Sequence, residues 1–151
     1  MPDPNGELPV SDPKADCEVL MNSVVPFAEQ MLSSHGEFLP FGGAMRPSGE
    51  LVSVAGFDGE EHPQSSDVIR LIKEGFIGAA RQGQYKATAL VYDVRTTLPS
   101  TGDKSDAIAV SLNHRDSYSV VVIFPYRIND GKLTVGTAFA QKGEADIFQS
   151  R

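Results

Sequence analysis

The chain has 151 residues, of which 40% are hydrophobic and 22% are charged, and its formal net charge is −7. This length suits one domain with a substantial core and leaves little room for two. No apolar stretch approaches the roughly 20 residues of a membrane helix, and the only cysteine, Cys17, excludes an internal disulfide framework.

The N-terminal residues bear on localisation. Residues 1–7 lack the basic start and the apolar core of a secretory signal peptide. Together with the low cysteine content, this favours a reducing, cytoplasmic compartment. Because residues 1–10 are rich in Pro, Asp, Asn and Gly, we predict a disordered lead-in there and a single domain over residues 11–151.

Charge is distributed unevenly along the chain. Residues 1–67 contain 12 acidic and two basic side chains, a net charge of −10, so the remaining residues carry +3. An acidic half disfavours nucleic acid and anionic membrane as partners, and it would speed association with a basic protein. A simpler interpretation is that the excess of acid keeps the protein soluble.

The first predicted element is an amphipathic helix over residues 12–35. Its apolar positions recur at helical spacing and include Cys17, Leu20, Val24, Phe27 and Met31. Ser11 or Asp12 offers an N-cap, and Gly36 is a natural terminator. Pro26 removes one backbone hydrogen bond, so it should kink the helix or split it in two, and we expect a kink.

A β-hairpin is predicted over residues 37–57. The tetrapeptide at 46–49, Arg-Pro-Ser-Gly, suits a type I turn, with proline second and glycine fourth. The first arm contains Pro40, Gly42 and Gly43, which weaken a hydrogen-bonded ladder. We therefore expect this arm to be an edge strand or a bulged one.

A second helix is predicted from Ser65 or Ser66 to the glycine at position 83. Asp67 lies at its positive end, where an acid favours the helix dipole. Gly75 and Gly78 weaken the helix by about 1 kcal/mol each relative to alanine. Small residues at that spacing would also let the helix lie close to a sheet.

The second half of the chain is predicted to be strands and turns. Alternating, β-branched patterns indicate strands at residues 85–94, 107–114, 118–126 and 133–140. The run 118–126 is apolar on both faces, which is typical of a strand buried on both sides. Pro125 cannot donate to a ladder, so pairing should fail on one side near it. Near the end of the chain, Ile147 and Phe148 are expected to dock on the core.

These elements predict an α+β fold of order α-β-β-α-β-β-β-β. We expect a two-layer sandwich, in which an antiparallel sheet of five to six strands carries both helices on one face. The order is comparable to that of profilin-like and Roadblock-like domains, an analogy that implies no function. The segment 36–44, with Gly49-Glu50 and with the Phe-Pro-Tyr at 124–126, resembles patterns in small uncharacterised bacterial α+β proteins. That resemblance implies no activity.

No motif predicts a particular chemistry. The three histidines, His35, His62 and His114, are not spaced four residues apart, so no helical pair of metal ligands is present. Cys17 lies among the apolar positions of the first helix, which indicates a buried, inert thiol. A Gly-x-Ser-x-Gly elbow is absent, and the glycines are too sparse for a nucleotide-binding fingerprint. We therefore predict no catalytic residue, no cofactor and no metal.

One candidate binding site is aromatic. Phe38, Phe41 and Tyr126 are candidates to line a groove beside two prolines, with His35 or His114 as the polar group. The competing interpretation is ordinary core packing, which explains most aromatic side chains in strands.

A second candidate site is the acidic loop that contains Asp58, Glu60 and Glu61. These side chains are candidates to meet a basic partner. They could also serve calcium or magnesium as oxygen ligands, but their spacing does not match a calcium-binding loop. A solvated loop is the simpler interpretation.

The favoured hypothesis is a non-enzymatic cytoplasmic interaction protein of the immunity, adaptor or chaperone type. It would form a homodimer and bind an unidentified, basic protein partner through an acidic surface. The alternative is a small-ligand-binding or hydrolytic domain with an aromatic groove and a histidine base. A third hypothesis is a fold that depends on a metal at the acidic loop. The sequence favours a role without catalysis and leaves enzymatic activity open.

Overall fold

The structure of the chain, a computed structural model, describes residues 12–55 and 64–148. Within these ranges the chain forms two helices and seven strands, which are α1 (Pro13–His35), β1 (Phe41–Met45), β2 (Leu51–Ala55), α2 (Ser65–Arg81), β3 (Ala87–Thr97), β4 (Lys104–His114), β5 (Tyr118–Asn129), β6 (Lys132–Val135) and β7 (Phe139–Lys142). The α+β class, the antiparallel sheet and the predicted element order are confirmed, and β7 is one strand more than predicted. The predicted lead-in at residues 1–10 lies outside the described residues.

Helix α1 begins and ends at predicted caps. The Asp12 carboxylate accepts a hydrogen bond from the backbone N–H of Ala15 at 3.1 Å, and Gly36 adopts a left-handed conformation with φ 75°. The Gly36 N–H donates to the carbonyl of Leu32 at 2.9 Å, which satisfies one of the last free carbonyls of the helix. Pro26 lies inside α1, and the helix continues through it as one element rather than splitting.

The sheet has the order β2-β1-β3-β4-β5-β6, and β7 pairs with the same side of β5 as β6 does. Strand β1 lies between β2 and β3, and its register with both is continuous from Phe41 to Met45. The prediction that this arm is an edge strand or a bulged one is therefore wrong. Among the strands that the structure describes, the second arm of the hairpin, β2, is the edge strand instead.

Two adjacent glycines let a helix approach each face of β1. A Cβ on Gly42 would lie 2.7 Å from the carbonyl oxygen of Ala89 and 2.8 Å from the ring of Phe76 in α2. A Cβ on Gly43 would lie 2.8 Å from the side chain of Val24 in α1. Because successive residues of a strand point to opposite faces, α1 and α2 pack on opposite faces of the sheet.

Each helix consequently has its own core. The strand residues packed with α1 include Met45, Ala87, Ala89, Val91, Ile108, Val110 and Leu112. Those packed with α2 include Ala44 and Leu90. Each helix forms a layer on the sheet, but the expectation that both lie on one face is wrong. The physical reason is visible in β3, where residues 87–91 are all buried, so the strand needs cover on both sides.

Strand β5 is internal to the sheet, as predicted for residues 118–126. It pairs with β4 on one side, while on the other side it pairs first with β7 and then with β6. The change of partner falls at Phe124 and Pro125, where proline has no N–H to donate. The carbonyl of Pro125 accepts a hydrogen bond from the Gly136 N–H at 2.7 Å. The predicted interruption is confirmed.

The residues after β7 fold back across the sheet face that carries α2. The Ala145 N–H donates to the Ser119 hydroxyl at 3.1 Å, and Lys73 Nζ in α2 lies 2.7 Å from Asp146 Oδ2. Ile147 is buried among the side chains of the α2 core, which confirms the expected docking of the end of the chain. This segment and α2 together cover one end of that face.

Replacing Gly42 or Gly43 with alanine should destabilise the protein by about 1–3 kcal/mol, because the added methyl group overpacks the space between β1 and a helix. Gly75→Ala in α2 is the matched control. Nothing lies within 4 Å of a Cβ at Gly75, so alanine there should raise stability by up to about 1 kcal/mol. Urea denaturation followed by circular dichroism measures all three variants. Unchanged stability in both strand variants would contradict this packing.

Candidate functional site

The predicted aromatic side chains lie together on the α1 face of the sheet. Phe38 and Tyr126 are buried in the α1 core, with Phe41 packed against it. The rings of Phe38 and Phe41 meet edge-on at 5.9 Å between centroids, and Phe27 of α1 meets Phe41 in the same way at 5.0 Å. These contacts are those of a packed core. Ligand binding by the three predicted side chains stays a prediction.

Tyr126 is bound to a carboxylate that sequence reasoning did not single out. Its hydroxyl lies 2.9 Å from Asp93 Oδ1 and 3.0 Å from Asp93 Oδ2, so one O–H serves both oxygens. Burial, and then the hydrogen bond to Asp93, raise the pKa of Tyr126. Burial also raises the pKa of Asp93, although the bond from Tyr126 opposes that change. The hydroxyl of Tyr126 is therefore already bound to a protein side chain.

The two predicted histidines occupy different environments. His35 is exposed at the C-terminal end of α1, while the side chain of His114 is 0% exposed at the end of β4. His114 Nε2 lies 2.9 Å from Asp16 Oδ2, and its Nδ1 accepts a hydrogen bond from the Asp116 N–H at 3.0 Å. Both ring nitrogens are therefore engaged. A histidine so engaged is not available as a base. The third histidine, His62, lies outside the described residues.

Asp16 links α1 to the sheet because its carboxylate contacts both Lys86 and His114. Its Oδ2 lies 3.2 Å from Lys86 Nζ in addition to its contact with His114. Burial alone would raise the pKa of Asp16, but the hydrogen bonds from His114 and Lys86 outweigh it and lower the pKa below 3.8. The next residue, Cys17, is buried, and burial followed by the charge of Asp16 raises its pKa to about 12. The thiol is buried, as predicted, and its inertness stays a prediction.

The two ends of the sheet differ in how they are protected. At one end, β6 and β7 are four residues long and carry Lys132 and Lys142. Short strands and lysines are common devices that keep a sheet edge from pairing with another chain. At the other end, β2 has the sequence Leu-Val-Ser-Val-Ala, with no charged residue. In the part of the chain that the structure describes, β2 pairs only with β1. We refer to Leu51–Ala55 and its free side as the β2 edge.

Apolar side chains border the β2 edge on the α1 face. Leu51 is 42% exposed and Phe27 of α1 is 49% exposed, which is unusual for side chains of this size. The Phe27 ring contacts Phe41, and Phe41 is the cross-strand partner of Ala55. An exposed phenylalanine next to an unprotected strand is a feature of interaction surfaces rather than of a closed core.

The stretch of sequence that contains β2 is acidic. From residue 50 to residue 69 there are five acids and no Lys or Arg. These acids are Glu50, Asp58, Glu60, Glu61 and Asp67. The predicted partner-binding residues are the middle three, and they lie outside the described residues. Glu50 is paired with Arg46 at 3.0 Å in the β1–β2 turn.

Sequence reasoning predicted β2 as a strand and missed it as a site. The alternating pattern of β2 indicates a strand, but the pattern does not show that β3 pairs with β1 and leaves β2 at the edge of the sheet. The glycines of β1 favoured placing the edge at β1 instead. The absence of any charge over Leu51–Ala55, against lysines in both β6 and β7, is the signal that could have identified it.

No protein-family model matches the chain, and no curated protein or solved structure matches it significantly. Across residues 12–55 and 64–148, no three His, Cys, Asp or Glu side chains form a group that could hold a metal ion. No helix in these same ranges is long and apolar enough to cross a membrane. The candidate site is accordingly the β2 edge, on its geometry and charge.

The variant Asp16→Asn should lower the free energy of unfolding at neutral pH by about 2 kcal/mol, because it leaves His114 and Lys86 without their charged partner. The pKa of Asp16 is lowered by folding, so its contribution is present above the ordinary value of 3.8 and is lost as pH falls through the lower folded value. The stability difference between wild type and variant, measured by urea denaturation against pH, should therefore shrink below that value. A difference that is the same at pH 7 and at about pH 3 would contradict this assignment.

Proposed function

We propose that the chain is a non-enzymatic, cytoplasmic protein-interaction domain that binds a basic protein partner at the β2 edge. The observation that carries this proposal is the uncharged strand β2 within a 20-residue stretch of sequence that contains five acids and no Lys or Arg. Complementary charge speeds encounter and discriminates against wrong partners, while the apolar strand supplies contact area.

The hydrolytic alternative has less support. It needs a histidine base, and the ring of His114 is buried with both nitrogens engaged. His35 is exposed at the C-terminal end of α1. The predicted homodimer stays a prediction.

Neutralising the acidic loop tests the proposed function. The variant Asp58→Asn/Glu60→Gln/Glu61→Gln changes the net charge from −7 to −4. We expect it to capture the partner about tenfold less well than wild type, because association is steered by charge. Capture on immobilised protein from cell extract, followed by mass spectrometry, identifies and quantifies the bound protein.

The matched control neutralises three exposed acids elsewhere. Asp103→Asn/Asp116→Asn/Asp130→Asn gives the same net charge of −4 from turns in the second half of the chain, and it should leave capture unchanged. Raising salt from about 0.05 to 0.5 M should release the partner, because that range shortens the Debye length several-fold. An acidic partner, or equal capture by both triple variants, would contradict the proposal.

A further inference from the structure

The buried polar residues of the sheet lie close together. Among the described residues, four polar or charged residues are buried, namely Thr88, Ser111, Asn113 and His114. Asn113 is the cross-strand partner of Thr88, and Ser111 lies two residues before Asn113, so these three side chains share one face of the sheet. Thr88 is also the cross-strand partner of Ala44, which packs in the α2 core. The shared face is therefore the one that carries α2.

One hydroxyl of this group has no hydrogen-bond partner. Thr88 is 1% exposed, and its Oγ1 is buried without a hydrogen bond. Such a group costs free energy, and most buried polar groups in folded proteins are bound to a protein atom or to an ordered molecule. The neighbouring Asn113 is 3% exposed, and the accessible part of it lines a cavity. The polar group thus lies at the base of a space that a small molecule can enter.

This cavity has a volume of about 430 Å³ and lies between the sheet and the segment after β7. Its lining includes Asn113, Ser117, Ser119, Ala145 and Phe148. The Ala145 N–H donates to the Ser119 hydroxyl at 3.1 Å, which holds the segment against the sheet beside the cavity. The volume lies within the range of small-molecule sites, roughly 300–1,000 Å³. We refer to this space as the Asn113 cavity.

Two residues that line the Asn113 cavity have an unfavourable backbone conformation. Among the described residues, three that are not glycine have a positive φ, namely Ser117 at 64°, Asp130 at 52° and Ala145 at 53°. Asp130 precedes a glycine in a hairpin turn, where this conformation is common. Alanine has no polar side chain to compensate for it, so Ala145 is strained. Strained residues cluster at ligand sites, and both Ser117 and Ala145 line this cavity.

The lining indicates which class of ligand fits. None of the described residues that line the cavity is Asp, Glu, Lys or Arg. An ion bound there would lose hydration without meeting an opposite charge, so the ligand is uncharged. The amide of Asn113 and the hydroxyls of the two serines each donate and accept hydrogen bonds, as ligand hydroxyl groups do. Phe148 adds an apolar surface, which suits the C–H face of a sugar ring.

We propose that the Asn113 cavity binds a small, uncharged, polyhydroxylated molecule of about the size of a monosaccharide. The Asn113 amide and the hydroxyls of Ser117 and Ser119 bind its hydroxyl groups, and the Phe148 ring packs against its C–H face. The site is formed by β4, β5 and the segment after β7, so it does not depend on the proposed partner at the β2 edge.

Nuclear magnetic resonance of ¹⁵N-labelled protein tests this site. The probes are D-glucose, D-galactose, D-mannose and N-acetyl-D-glucosamine, each added up to about 50 mM. At least one of them should shift the side-chain amide signals of Asn113 and the backbone amide signals of Ser117 and Ala145. The shifts should saturate with a Kd below about 10 mM.

Three variants show whether the named groups bind the sugar. Asn113→Ala removes the amide and should weaken binding at least about tenfold. Asn129→Ala is the matched control, because Asn129 is exposed near the end of β5 and does not line the cavity, and it should bind within about twofold of wild type. Ser117→Gly serves if Asn113→Ala does not fold. Glycine suits the left-handed backbone at position 117, so this variant should fold and bind about threefold or more weakly.

Three results would overturn the proposal. The first is the absence of any shift at Asn113 with all four sugars. The second is equal binding by wild type, Asn113→Ala and Ser117→Gly, which would place the sugar elsewhere. The third is a long-lived water, detected by a nuclear Overhauser effect to the Asn113 side-chain amide, that persists at saturating sugar, because the cavity would then hold water only. None of these results alters capture of a basic partner, so the proposed function is tested separately.

Discussion

The structure depends on two adjacent glycines, Gly42 and Gly43, which leave the middle of β1 without a side chain on either face. Gly42 points at Phe76 of α2, and Gly43 points at Val24 of α1, so both helices approach β1 more closely than any Cβ would allow. This close packing of helix, strand and helix holds β1 as an inner strand even though glycine costs it conformational entropy. The glycines weaken the β1 ladder, but they allow apolar side chains such as Phe76 to be fully buried against β1. That burial stabilises the strand in its inner position.

The position of β2 follows from that packing. Because β1 is fixed between the helices and paired to β3, its hairpin partner is carried to the end of the sheet, where neither helix covers the α1-face side chains of Leu51, Ser53 and Ala55. The opposite end is shorter in strand length and carries lysines. Among the described residues, one edge of the sheet therefore has short strands with lysines, while the other edge, β2, has neither a charged residue nor a second partner and lies in the acidic part of the sequence.

Local chemistry predicted the elements well and their three-dimensional neighbours less well. The caps at Asp12 and Gly36 and the interruption at Pro125 could be predicted because each depends on the chemistry of one residue: a short acidic side chain, a left-handed backbone and a missing N–H. The placement of the helices on opposite faces was not readable from either helix. It depends on β3, whose residues 87–91 are buried on both faces of the sheet, and on the two glycines of β1. The sequence analysis interpreted these glycines only as residues that weaken the hydrogen-bonded ladder. Asp16 and Asp93 were missed because their partners, His114 and Tyr126, are distant in sequence.

The most direct measurement is amide hydrogen exchange of the free protein, resolved residue by residue along β2. If β2 is an open edge held by β1, the amides of Val52 and Val54 exchange slowly, because they donate to β1, while those of Leu51, Ser53 and Ala55 exchange quickly. Equal protection of all five amides would contradict the account, because it would mean that the free side of β2 is already hydrogen-bonded.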